Sequence, residues 1–174
     1  MLKSAIYCAA DLGAFLRRIA AGEQPWLGAS TAEVDIEAML AKLDTARDRW
    51  TGRAGATHKL LYEVGERVNV LIAKELQKLL LVADGLAIPA VGIVVRDAAS
   101  IAPVVGTTGD DGHPEALWFA NDAQGNGYAV MTIGWRGSDG GDVVRIAPGA
   151  VPVDAPILGS LPAVIVAWLE GRQP

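Results

Sequence analysis

Trp118-Phe-Ala-Asn-Asp-Ala-Gln-Gly-Asn-Gly-Tyr-Ala-Val-Met-Thr-Ile133 reads as a strand, a glycine-rich turn and a second strand. Its Asn126-Gly127 pair predicts a type I′ hairpin, because both residues tolerate positive φ. On the C-terminal side, Gly137-Ser-Asp-Gly-Gly141 supplies another turn, and Val143–Ile146 another β-branched run. On the N-terminal side, Val91-Gly-Ile-Val-Val95 is a further strand candidate. The stretch is therefore the centre of an antiparallel meander.

Helical spacing occupies the first half. Residues 3–21 carry Ile6, Ala9, Gly13, Leu16 and Ala20 on one face, and Gly22 and Pro25 end the helix. Ser30 with Glu33 forms a capping box, after which Ile36, Met39, Leu40, Leu43 and Trp50 recur at helical intervals. The glycine-containing stretch Thr51–His58 breaks that helix. A third helical region runs from about Lys59 to Ala83, with Leu60, Leu61, Val64, Val68, Leu71 and Ile72 apolar and Gly65 or Asn69 as dividing points. Gly85 stands where a left-handed helix cap belongs. At the end of the chain, Ser160 is placed as an N-cap, Pro162 in the first turn, and Leu161, Val164, Ile165, Trp168 and Leu169 on an apolar face. Helices, a meander and a closing helix make an α+β fold. The expected architecture is N-terminal helices, a mostly antiparallel sheet of four to six strands and a C-terminal helix.

At 174 residues, 51% apolar and 20% charged, the chain suits one sizeable core. It is read as a single domain, 1–174, with residues 1–52 a helical extension packed on a 53–174 core. The net charge of −5 is unevenly placed. Residues 1–84 hold eleven cationic and eleven acidic side chains, whereas residues 85–174 hold four arginines, no lysine and nine acidic side chains. A nucleic-acid binder needs the opposite balance or a basic stripe. No run approaches the roughly 20 apolar residues of a membrane span. Asp11 and Arg17-Arg18 interrupt the first apolar run too early for a signal peptide, so a cytoplasmic location is expected. Cys8, the lone cysteine, precludes an internal disulfide or a CxxC zinc site.

Chemistry-bearing motifs are few. Gly109-Asp-Asp-Gly-His-Pro-Glu115 gathers Asp110, Asp111 and Glu115 around His113, a set compatible with manganese or zinc, or simply with a polar turn. Asp122-x-Gln124-x-Asn126-Gly127 resembles the start of a calcium loop, but position 133 is Ile where the closing Glu belongs. Hairpin geometry accounts for it better. There is no GxSxG elbow, phosphate-binding loop or dinucleotide fingerprint. Trp50, Trp118 and Trp168 read as core residues. Trp135, followed by Arg136 and the Gly/Ser/Asp turn, has the chemistry of an interface anchor.

Three blocks together resemble the SUKH superfamily, which groups bacterial toxin-immunity proteins with yeast cell-wall-synthesis regulators. They are Glu75–Leu86; Phe119-Ala-Asn-Asp122 with Gly125-Asn-Gly127-Tyr128; and Gly141-Asp-Val-Val-Arg-Ile146 with the helix from Ser160 to Leu169. The family's Leu-Pro pair is replaced by Ile72-Ala73, and the N-terminal helices exceed its minimal domain. The resemblance implies a binding protein with no shared catalytic residues and no cofactor. Its expected partner is a protein, a basic toxin domain in particular, since an acidic surface meets a basic one rapidly. Asp110, Asp111, Glu115, Trp135, Arg136, Asp139 and Asp142 are the expected contact residues. The alternatives are a small metal-dependent hydrolase using the His113 loop, and a regulatory module whose N-terminal helices oligomerise.

Overall fold

A computed structural model describes residues 31–109, 112–132 and 140–174. The expected 3–21 helix, Cys8 and the Ser30 cap lie outside the described residues. The chain divides into two compact units between Val34 and Asp35, and the second contains the sheet. The element order is α1 (Thr31–Thr45), β1 (Thr51–Ala54), α2 (His58–Val68), α3 (Lys74–Val82), β2 (Ala83–Ile88), β3 (Ile93–Val95) and β4 (Ala102–Pro103). Then follow β5 (Ala116–Asp122), β6 (Gly127–Met131), β7 (Asp142–Ile146), β8 (Ile157–Ser160) and α4 (Leu161–Leu169). The fold is α+β, as the residue pattern indicates.

Among the described residues the sheet has eight strands, more than the four to six expected, in the order β1-β2-β3-β5-β6-β7-β8 with β4 also on β5. All pairings are antiparallel. The additional strands are the ones with the weakest local signal. β1 is Thr-Gly-Arg-Ala, exposed throughout, where the sequence suggests only a helix break. It forms because β2 offers it an edge, not because its residues favour extended backbone.

Gly85 is not a helix cap. α3 ends at Val82, and Ala83 is already extended (φ −144°, ψ 115°). Gly52 pairs with Leu86 and Arg53 with Asp84, so Gly85 is the extra residue of a β-bulge, at φ +86°. The long third helical region divides at Asn69, which adopts the left-handed conformation at φ 56°, while Gly65 remains inside α2. Leu71 thus leaves the buried helical face that its spacing suggests and lies in the link between α2 and α3.

Two apolar clusters sandwich the sheet. The larger packs α2, α3 and α4 on one face, through Leu61, Val64, Leu76, Leu80, Phe119 and Trp168 among others. Met39, Leu43, Ala46 and Trp50 join the same cluster, so residues 39–50 are part of its packing. The smaller, on the opposite face, gathers Val104, Ala116, Ala129, Met131, Val144, Ile146 and Ala155 beneath half-buried Trp118.

Between β1 and α2 the chain runs close against α3. Ala56 donates its N–H to the Leu80 carbonyl at 2.8 Å, and a β-carbon at Gly55 would overlap the Leu81 carbonyl. Gly55→Ala is therefore expected to destabilise the protein by about 2 kcal/mol. A β-carbon at Gly65 meets nothing closer than the Val70 carbonyl oxygen at 3.4 Å. Gly65→Ala, in a helix interior, should instead stabilise by about 0.5–1 kcal/mol. Denaturant midpoints of the two variants check the opposite signs.

Candidate functional site

The hairpin that dominates the sequence is closed from within. Asp122 donates its N–H to the Asn126 carbonyl at 3.0 Å, and Gly125 donates to the Asp122 carbonyl at 3.2 Å. Gly125 carries the positive φ, at +85°, and Asn126 does not. The loop is thus the three residues Ala123-Gln124-Gly125, not a type I′ Asn-Gly turn. Gly127 is required for a different reason: the Trp118 indole lies where its β-carbon would be.

Both Asp122 oxygens serve this turn. Oδ1 accepts from the N–H groups of Gln124 (3.0 Å) and Asn126 (2.9 Å), and Oδ2 from Asn126 Nδ2 (2.7 Å) and the Tyr128 hydroxyl (3.2 Å). Arg145 approaches Oδ2 at 3.7 Å. Burial pushes the Asp122 pKa up, but the bonds from Asn126, Tyr128 and Gln124 outweigh it and hold the carboxyl below its ordinary value. Burial, followed by the Asp122 charge, raises the Tyr128 pKa, which keeps the phenol protonated to donate. This carboxylate is a structural hub of the hairpin.

A concavity lies away from this hairpin. A groove of about 850 Å³ runs beside α2 and is lined by His58, Leu61, Tyr62, Glu66, Leu71 and Ile72, with His113, Glu115 and Thr132 along the other side. That volume is in the range of ligand clefts, roughly 300–1,000 Å³. The two walls are tied together: the Asn69 carbonyl, released from the helix by the left-handed turn, accepts the His113 Nδ1–H at 2.7 Å. The base of the 107–115 loop is fixed as well. Thr108 bridges Pro114, Glu115 donates its N–H to Thr107 at 2.6 Å, and the Thr132 hydroxyl donates to the Pro114 carbonyl at 3.0 Å.

Within the groove, Leu61 and Ile72 are buried, while Tyr62 is 69% and Leu71 87% exposed. Leu71 stands among apolar residues at helical spacing yet is exposed, and neither Tyr62 nor Glu66 is among the sequence-predicted site residues. The available signal was that Tyr62 falls off the apolar stripe of Leu61, Val64 and Val68.

Of the expected contact residues, Glu115 is half-buried at this groove, and Asp142 is half-buried at the start of β7, paired with Ser160. Asp110, Asp111, Trp135, Arg136 and Asp139 lie outside the described residues. Among the described residues, no group of three or more His, Cys, Asp or Glu side chains converges as a metal site. No helix among them is long and apolar enough to cross a membrane. No protein-family model matches the chain, and a search of curated proteins finds no match.

The Asp122 hub has a pH consequence. Its carboxyl titrates below the ordinary 3.8 when folded, so its stabilisation is whole above that value and fades as the pH falls through and below it. Asp122→Asn is expected to lose about 2 kcal/mol at neutral pH. It should also show a smaller further loss than the wild type on acidification toward pH 3, read by urea denaturation at both pH values.

Proposed function

We propose that the protein is a non-enzymatic binding domain of the immunity type, which neutralises a cognate toxin by covering part of its surface. The observation that carries this reading is the pair Tyr62 and Leu71, large apolar side chains left exposed on the rim of a groove whose floor is apolar. Solvent-exposed aromatic and aliphatic residues around a concavity are the composition of an interface centre, not of an inert surface. The resemblance to SUKH proteins in residues 75–86, 119–128, 141–146 and 160–169 supports the same class. The acidic excess of residues 85–174 suits a basic partner, as toxin nucleases are, because opposite fields speed association.

Glu115 brings one of the expected contact residues to the groove. Asp110 and Asp111 neighbour it in sequence, and Asp139 and Asp142 provide a second acidic stretch. In this reading the acidic residues steer the encounter and the groove residues hold the complex.

The direct test mixes this protein with the purified product of the neighbouring reading frame, which this reading predicts to be a toxin. Wild-type protein should form a stoichiometric complex that abolishes the toxin's activity. Asp139→Lys with Asp142→Lys should slow association roughly tenfold at low salt and flatten its salt dependence. An absence of complex formation would sink the reading; an unchanged association rate would remove its electrostatic part.

A further inference from the structure

From the groove's lining we infer the chemistry of what it takes: a partner segment that presents an arginine flanked by aliphatic side chains. This inference rests on the protein-binding reading above and names the part of the partner that is recognised.

Among the described residues the groove's carboxylates are Glu66, on α2, and Glu115, at the entry to β5; its other titratable side chains are His58, Tyr62 and His113, and no lysine or arginine of the described residues lines it. Neither carboxylate makes an ion pair or a side-chain hydrogen bond among the described residues. The nearby cations are engaged elsewhere. Arg67 donates to the carbonyls of Ala99 (2.8 Å) and Ile101 (2.9 Å), away from the groove. Lys59 faces Glu63 one turn along the same helix, at 3.7 Å. The two groove carboxylates therefore have no lysine or arginine counter-charge among the described residues.

Its apolar content selects among cations. Leu61 and Ile72 form a buried floor, and Leu71 stands almost fully exposed above it. A hydrated ammonium or a metal ion would gain nothing from that floor, whereas an aliphatic side chain covering Leu71 would remove apolar surface from water. Tyr62 adds a ring face that is 69% exposed. A planar guanidinium stacks on such a face and donates to a carboxylate in a fork geometry, which a lysine cannot reproduce. The combination of flat aromatic, two carboxylates and an aliphatic floor fits arginine next to leucine-class residues.

The test is fluorescence anisotropy of the whole chain with a labelled short peptide that alternates Arg and Leu. Control peptides replace Arg by Glu, or Leu by Ser. The Arg–Leu peptide should bind, and both controls should bind at least about tenfold more weakly. Glu66→Lys with Glu115→Lys, and separately Leu71→Asp, should each weaken the Arg–Leu peptide about tenfold or more. Val105→Asp, which alters an exposed valine that does not line the groove, should change nothing. Equal binding of the Glu–Leu peptide, indifference to the groove variants, or no peptide binding would each overturn the inference. The same variants are then tried on the toxin domain. If that complex survives Glu66→Lys with Glu115→Lys but is lost with Leu71→Asp, protein binding at the groove stands and the arginine preference falls. If there is no complex with wild-type protein, the broader reading falls as well.

Discussion

Tyr128 is held from two sides. Its ring meets the Trp168 indole edge-on at a centroid distance of 5.0 Å, and its hydroxyl donates to Asp122 at 3.2 Å. Trp168, fully buried on α4, also stacks on Phe119 at 6.1 Å. One side chain thus couples the hairpin loop to the helix that closes the core. Such aromatic pairs contribute beyond their buried area, and the charged acceptor makes the hydroxyl bond stronger than a neutral one. With Asp122 fixing the loop, β5 and β6 are fixed in register, and the strands on either side of them pair outward from that hairpin. Elsewhere α1 is linked to the end of α4 by the pair of Lys42 with Glu170 at 3.0 Å, which contributes little individually.

The groove depends on a second, smaller constraint. Asn69 turns the chain left-handed at the end of α2, and the carbonyl presented there holds His113 at 2.7 Å. That bond joins the helical wall to the 107–115 loop, so Glu66 and Glu115 line one concavity although 49 residues apart. The same turn lifts Leu71 out of the helix and into solvent. The hairpin gives rigidity, and the Asn69 turn shapes the surface placed upon it.

Much of this architecture was legible in the residues. Val143–Ile146, Tyr128–Met131 and the Leu161–Leu169 helix carry strong periodicity, and each forms where its pattern indicates. β1 and β8 were not legible, because Thr-Gly-Arg-Ala and Ile-Leu-Gly-Ser are four-residue runs interrupted by glycine and pair only because a neighbour exposes an edge. Gly85 and Gly127 were correctly marked as positions needing glycine but for the wrong reasons: one is a bulge and the other lies under an indole, and both facts depend on a partner strand. The groove was half visible. His113 and Glu115 stand out as chemistry in a polar loop, but Tyr62, Glu66 and Leu71 look like ordinary helix residues until the left-handed turn at Asn69 places them. A break at Asn69 was one of two readings of the spacing, and its consequence for Leu71 follows only from the fold.

We propose that α2 and the segment after it form the face that meets a protein partner. Hydrogen–deuterium exchange of the whole chain, with and without the Arg–Leu peptide, tests it most directly. Residues 58–73 and 112–115 are expected to gain protection in the complex, while the exposed β1 edge at 51–54 keeps its exchange unchanged. Protection confined to the 51–54 edge and the outer face of β2 and β3, with none at 58–73, would contradict it.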